Sequence, residues 1–255
     1  MRFPALLIPW LVATTATVVS AQQPEALFRS ALSGDLPGVE QALADGIPID
    51  SVDRYGSTAL SLAASNGHLE VVALLLEKGA DPDIAESFYY TLPVDAALFF
   101  GHTDVAELLI SAGAAGRESA LSFAANQGLT SLARTVVESG PIYQSDLAEL
   151  QARSNLSPEM AAILADAKSR PDPEPPVYTV EELHAHTGVF EGWDSGTRVE
   201  VNLREGHLIA VLDDGSTHEL VPTRESRFEA PGGDIELGFF GRAGLIEGFS
   251  LARQG

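Results

Sequence analysis

Apolar residues in the first two-thirds of the chain recur at the three- and four-residue spacing of short amphipathic helices. In the clearest stretch, Leu60, Ala63 and Ala64 come before a glycine, and Val71 and Leu75 follow it. This spacing predicts two short helices joined by a glycine-containing turn, with these side chains on their shared face. The small alanines in the first helix allow a neighbouring helix to approach closely.

Two series of glycines repeat this helical unit along the chain. They are Gly34, Gly67, Gly101 and Gly128, and Gly46, Gly79, Gly113 and Gly140, with steps of 33, 34 and 27 residues in both series. A fixed period of this size is typical of stacked repeats, and glycine after each helix supplies the left-handed backbone that ends it. The short last step predicts that the loop before the fourth unit has lost its hairpin finger.

The second unit carries the fullest set of repeat residues. In order these are Asp53-Arg54-Tyr55-Gly56-Ser57-Thr58-Ala59-Leu60, Ala63-Ala64, Gly67-His68-Leu69-Glu70-Val71-Val72 and Leu74-Leu75-Leu76-Glu77-Lys78-Gly79-Ala80-Asp81. This series resembles the ankyrin repeat, although Thr58-Ala59-Leu60-Ser61 lacks the usual Pro and His. The resemblance implies a stack of helical pairs whose concave face and fingers bind a protein. It also implies a structural role for His68 and His102.

The segment 22–168 is therefore predicted to be an ankyrin-repeat domain of four repeats and a terminal cap. Residues 144–168 hold two further helix-length stretches, and the second begins at Ser157-Pro158, a favourable helix start. We interpret them as a degenerate fifth unit. Residues 169–176 contain four prolines and predict a stiff, extended linker.

Beyond the linker the apolar period changes from 3.6 to 2. Val199, Val201 and Leu203 alternate with polar residues, and similar runs follow at roughly 10-residue spacing, separated by glycine turns. The pattern predicts six or seven antiparallel strands over residues 177–255, closed into a small barrel or a curved sheet. The fold class is thus α plus β and multidomain, with an α-solenoid followed by a β domain.

The β segment has its own, looser resemblance. The residues that carry it are Leu183-His184-Ala185-His186-Thr187-Gly188-Val189-Phe190-Glu191-Gly192, Gly206-His207-Leu208, Glu219-Leu220-Val221-Pro222 and Ser226-Arg227-Phe228. They resemble the lipocalin-like β domain that follows the catalytic part of beta-lactamase-related serine hydrolases, whose role in that family is undefined. His186 stands where that family usually has an aromatic residue. The chain has neither the Gly-x-Ser-x-Gly nor the Ser-x-x-Lys motif of a serine hydrolase.

Residues 1–21 predict a secretory signal peptide. Arg2 supplies the positive charge, the next ten residues are mostly apolar, and small residues ending at Ala21 predict cleavage there. The alternative is an uncleaved membrane anchor, although proline and threonine interrupt the apolar run. Cleavage would place the mature protein in the periplasm or outside the cell, with no remaining membrane span.

Charge and composition narrow the possible functions. The 255 residues carry a formal net charge of −21 and no cysteine, so nucleic acid is a poor partner and thiol chemistry is excluded. We predict no catalytic centre, metal or cofactor. The nearest metal pair is His184 and His186, but the capping-box pattern starting at Thr179 predicts a short helix on which the two rings point apart.

Aromatic residues mark the predicted partner-binding surface. They are Tyr55, Phe88, Tyr89 and Tyr90 in the fingers, and Phe99 and Phe100 at the end of an inner helix where the second unit has Ser65-Asn66. Clusters of this kind are typical of interaction hot spots. The alternative is that the β domain or the fourth unit covers them. Acidic residues in the same fingers favour a basic partner or form a solvated rim; they are Asp50, Asp53, Asp81, Asp83 and Glu86.

A different function remains open for the β domain. It could hold a small apolar ligand between its sheet and Phe190, Trp193 and Phe228. We place this second to protein binding.

Overall fold

The computed structural model describes residues 24–87, 90–152, 155–191, 198–224, 227–233, 235–242 and 245–253. Within them, eleven helices precede seven strands. The predicted signal peptide lies outside the described residues.

Ten of the helices form five antiparallel pairs. They are α1 (Glu25–Ser33) with α2 (Leu36–Ala44), α3 (Ala59–Ser65) with α4 (Leu69–Glu77), α5 (Pro93–Phe99) with α6 (Thr103–Ser111), α7 (Arg117–Gln127) with α8 (Thr130–Ser139), and α9 (Gln144–Gln151) with α10 (Pro158–Lys168). The odd-numbered helices stack in one row and the even-numbered helices in a second row. We call these the inner and outer helices.

The helix ends follow from the sequence. Gly34, Gly67, Gly101 and Gly128 all have positive φ and connect an inner helix to its outer helix. At helix starts, Thr58 Oγ1 accepts a hydrogen bond from the backbone N–H of Ser61, and Ser157 Oγ accepts one from Met160. These caps satisfy backbone donors that have no partner within the helix.

One continuous hydrophobic core runs through the five pairs. Alanines dominate on the inner helices, where Ala63, Ala64, Ala97 and Ala124 are fully buried. Leucine, valine and isoleucine from the outer helices complete the core. Each pair thus buries its apolar face against the next one, as expected for repeats that cannot fold alone.

The loops before the inner helices are joined to one another by hydrogen bonds. Asp50 Oδ1 accepts from the backbone N–H of Asp81 at 3.0 Å, and Asp83 Oδ1 accepts from that of Ala115 at 2.7 Å. The backbone carbonyl of Tyr55 accepts from the N–H of Ser87 at 2.7 Å. Consecutive fingers therefore support each other.

The fourth unit lacks a finger, as the sequence predicts. Only residues 112–116 separate α6 from α7. Arg117, the first residue of α7, instead donates from its guanidinium to the backbone carbonyls of Ser139, which ends α8, and of Pro141 just beyond it. This side chain satisfies carbonyls at the end of α8 and links both ends of the hairpin.

The C-terminal strands form one antiparallel sheet in sequence order. They are β1 (Gly188–Glu191), β2 (Arg198–Arg204), β3 (His207–Leu212), β4 (Thr217–Arg224), β5 (Arg227–Glu229), β6 (Ile235–Arg242) and β7 (Leu245–Arg253). The first and last strands approach each other, so the sheet curls into a half-barrel. β4 pairs with β3 up to Leu220 and with β5 from Val221, and a register shift lies within the second pairing, between Pro222 and Arg224.

The concave side of this sheet holds a second hydrophobic core. Alternate residues of the strands supply it, including Val199, Val201 and Leu237, which are almost fully buried. The short helix α11 (Val180–His184) contributes Leu183 to the same core. Its predicted capping box is confirmed, because the Thr179 and Glu182 side chains each bond the other's backbone N–H.

The proline-rich segment begins in contact with the last helical pair. Asp172 Oδ1 accepts from the backbone N–H of Gln144 at 2.6 Å, and the Gln144 side chain donates to the carbonyl of Arg170. Arg170 donates to the carbonyl of Val137. The first half of the predicted spacer is thus bonded to the repeats, which composition alone did not predict.

Candidate partner-binding surface

Tyr55 is an exposed aromatic residue at a finger turn. Its side chain is 52% exposed, and the Arg54 guanidinium carbon lies 4.7 Å from the centre of its ring. Asp53 Oδ1 accepts hydrogen bonds from the backbone N–H groups of Tyr55 and Ser57, which fixes the turn. The finger thus presents an aromatic ring paired with a cation.

The next finger is only partly described. Phe88 and Tyr89, both predicted to bind a partner, lie outside the described residues. Tyr90 is half-buried and has φ of 55°, a conformation that L-residues with bulky side chains rarely adopt. It belongs to the loop that leads into α5.

Phe99 and Phe100 are the most conspicuous apolar residues of the repeat stack. They are 82% and 59% exposed, and their rings meet edge to face with centroids 5.1 Å apart. Within the described part of the chain, neither the β domain nor the fourth unit covers them. The expectation of exposure therefore fits these two residues.

The predicted aromatic residues do not form a single cluster. The fingers lead into the N-terminal ends of the inner helices, whereas Phe99 and Phe100 lie at the C-terminal end of α5. A seven-residue helix is about 10 Å long, so one partner must span that distance to touch both groups. Repeat spacing in the sequence does not reveal this separation, because it assigns residues to units and not to positions along a helix.

Burial raises the pKa of two carboxyl groups near the third unit. Burial raises the pKa of Asp83, opposed by the hydrogen bond from the Ala115 N–H, and the nearby Asp81 adds to the rise. Burial also raises the pKa of Asp95, against a 2.6 Å hydrogen bond from Ser119 Oγ. Both groups bond to the following unit, so their roles include holding units together.

In the β domain, the two predicted ligand-binding residues that the structure describes, Phe190 and Phe228, are part of an aromatic core. Phe228 is fully buried and Phe190 is half-buried, while Trp193 lies outside the described residues. Phe228 contacts the rings of Tyr178, His186 and Phe239 with centroid distances of 5.0 to 5.6 Å. The ring of Phe228 therefore packs the interior of the sheet.

His186 is the buried polar member of this aromatic cluster. Its Nδ1 lies 3.1 Å from the backbone carbonyl of Glu182, so this nitrogen donates. Burial lowers the pKa of His186. His184 is exposed at the end of α11, and no group of three metal-binding side chains occurs among the described residues. The sequence singled out His186 by its unusual position but did not reveal the rings around it.

Among the described residues, none of the helices is both long and apolar enough to cross a membrane.

Comparisons with known proteins agree with the repeat architecture. A family model described as ankyrin repeats, in three copies, matches residues 6–86. Similar curated proteins include the ankyrin repeat and KH domain-containing protein mask-1 of Caenorhabditis elegans, 34% identical over 98 residues, which are 38% of this chain and 4% of that protein. Another is the human NAD-capped RNA hydrolase NUDT12, 38% identical over 84 residues, 32% of this chain and 18% of that protein.

A third relative is the transient receptor potential cation channel subfamily A member 1 homolog of Caenorhabditis elegans, 31% identical over 130 residues. These residues are 49% of this chain and 11% of that protein. The chain thus covers only a small part of each of these relatives.

The paired helices and their glycine turns define a repeat protein of the α-solenoid class. Together with the matching family model, they show that the N-terminal part of this chain consists of ankyrin repeats.

Proposed function

We propose that this chain is an exported scaffold protein whose ankyrin stack binds a protein partner. The observation that carries the proposal is the exposure of Phe99 and Phe100 beside a fully formed core. The hydrophobic core of the repeats is complete without these two phenyl rings, so their exposure to water does not stabilise the fold. Exposed apolar patches of this kind mark interaction sites. Tyr55 offers a second exposed ring on the finger side.

Export and the accessory role of the β domain are part of the same proposal. Support for export is the pattern of Arg2, the following apolar run and Ala21. Recovery from a periplasmic or secreted fraction of a mature chain that starts at Gln22 supports export. A chain that stays in the cytoplasm with Met1 intact contradicts it.

Site-specific photo-crosslinking in whole cells tests the binding itself. A photoreactive amino acid is placed at Tyr55 or at Phe99, with Val180 as the matched control because it is 56% exposed on α11 of the β domain. We expect a discrete protein adduct from one or both repeat positions and not from Val180. The same adducts from all three positions, or none from either repeat position, contradict the proposal.

A further inference from the structure

The turns between inner and outer helices form a row across the first four units. We define the turn ridge as the two residues before each turn glycine: Leu32, Ser33, Ser65, Asn66, Phe99, Phe100, Asn126 and Gln127. All eight are uncharged. Leu32 is 50% exposed, so the ridge has apolar surface in the first and third units.

The fold does not require phenylalanine on this ridge. At the equivalent positions of the second unit, the Ser65 hydroxyl and the Asn66 side-chain amide both donate to the carbonyl of Leu62, at 3.0 and 2.8 Å. Polar residues thus close the same turn and satisfy a helix-end carbonyl. Phe99 and Phe100 contact each other instead. Phenylalanine is therefore not needed to close this turn.

The surface around the ridge is acidic. Glu70 and Asp104 are exposed in the first turns of α4 and α6, three residues after Gly67 and Gly101. Neither carboxylate has an ion pair among the described residues. Over residues 24–116 there are three basic and fourteen acidic residues, a formal net charge of −11.

The net charge of the chain determines which kind of partner can bind the turn ridge. A second copy of this chain carries the same net charge of −21 and is repelled at long range. A basic partner is attracted by the same field and pairs with the free carboxylates beside the apolar contact. The combination of apolar centre and acidic border therefore selects a positively charged partner with apolar anchors.

We propose that the turn ridge docks a basic protein segment whose apolar side chains cover Phe99 and Phe100, flanked by salt bridges to Glu70 and Asp104. This inference rests on the proposed function and names the chemistry of its partner. Aromatic anchors carry most of the affinity in such an interface, and the carboxylates accelerate encounter.

The test is selection of random peptides displayed on phage against the full chain. The variant carries Phe99→Ser and Phe100→Asn, which copies the Ser65-Asn66 pair that this fold already accommodates. We expect enriched peptides with excess Lys and Arg around Phe, Trp or Leu, binding the variant at least about tenfold more weakly. Enrichment of neutral or acidic peptides, or equal binding to the variant, overturns the inference.

A charge-matched pair of variants isolates the carboxylates. Glu70→Gln with Asp104→Asn removes two charges beside the ridge, and Glu40→Gln with Glu77→Gln removes two exposed charges elsewhere on the outer helices. We expect weaker, less salt-dependent peptide binding only in the first variant. Equal loss of peptide binding in both variants contradicts a specific role for Glu70 and Asp104.

Sedimentation of the full chain tests the competing occupant. Self-association that disappears in the Phe99→Ser, Phe100→Asn variant makes the ridge a contact between copies and overturns the inference. Photo-crosslinks from Tyr55 without peptide binding to the ridge leave the proposed function standing while the inference fails.

Discussion

The ring of His68 lies directly against Gly34 of the preceding unit. A Cβ atom on Gly34 would come within 2.7 Å of His68 Nδ1, and the other ring nitrogen donates to the carbonyl of Leu32 at 3.0 Å. His102 sits against Gly67 in the same way, with 2.5 Å between the corresponding atoms. Each histidine thus joins two units, and each glycine leaves room for the ring.

This relationship predicts unequal costs for two glycine substitutions. Gly67→Ala and Gly101→Ala each force a side chain into positive φ, at about 1–2 kcal/mol. Only Gly67→Ala also displaces a ring, because nothing lies within 4 Å of a Cβ at Gly101. We expect Gly67→Ala to lower the free energy of unfolding by roughly 1 kcal/mol more than Gly101→Ala.

Denaturant unfolding of both variants measures the difference. Adding His102→Ala to Gly67→Ala should recover part of the loss, because the smaller side chain removes the clash. Equal destabilisation of the two alanine variants, with no recovery in the double variant, contradicts the packing account.

Periodicity predicted the repeats well because the glycine turns and the alanine pairs reflect local requirements, although Gly140, with φ of 161°, is extended and not left-handed as predicted. The two-residue period predicted the strands of the half-barrel, and the capping-box pattern predicted the short helix after Thr179. Both patterns are also local. Contacts between residues that are distant in the sequence leave no such pattern in it. The bond from Arg170 to Val137 and the rings around His186 depend on tertiary packing, and the separation of Tyr55 from Phe99 depends on helix direction.

The lowered pKa of His186 predicts acid sensitivity of the β domain. The ordinary value is 6.5, so protons bind the unfolded state first as the pH falls, and stability present above about pH 6.5 is lost below it. The ring of Tyr178 packs edge to face against His186, with centroids 5.5 Å apart. Near-ultraviolet circular dichroism during thermal unfolding follows the aromatic core.

His186→Phe is the control for this pH dependence. An aromatic replacement keeps a ring among Tyr178, Phe228 and Phe239 but cannot bind a proton. We expect the melting temperature of the variant to change less between about pH 7 and about pH 5 than that of the natural chain. Identical slopes for the two proteins rule out His186 as the source.

The burial of Asp95 predicts that removing its negative charge stabilises the folded protein. Burial raises its pKa, so the folded state binds the proton more tightly than the unfolded state, and the protein loses stability as the pH rises above the ordinary value of 3.8. Asp95→Asn keeps an oxygen to accept from Ser119 Oγ and should match or exceed the natural stability at neutral pH. Asp95→Ala loses this hydrogen bond and should cost about 1 kcal/mol. Lower stability of Asp95→Asn than of Asp95→Ala contradicts this explanation.

The bonded start of the proline-rich segment predicts local protection of its backbone amides from hydrogen exchange. Arg170→Ala removes the bonds to Val137 and Asp166, and Tyr143→Phe removes the 3.2 Å bond from its hydroxyl to the carbonyl of Thr223 in β4. In both variants the backbone amides of residues 169–174 should exchange their hydrogens faster, as measured by hydrogen–deuterium exchange. Lys168→Ala is the control, since that amine contacts Gln151 of α9. Equal exchange rates in all variants and the natural chain contradict the docked arrangement.

The most direct measurement of the central claim is the affinity of the crosslinked partner, once purified, for the full chain by isothermal titration calorimetry. We predict saturable binding that weakens at least about tenfold in the Phe99→Ser, Phe100→Asn variant, while His186→Phe in the β domain leaves it unchanged. Unchanged affinity in the first variant together with loss in the second would show that the repeats do not carry the recognition.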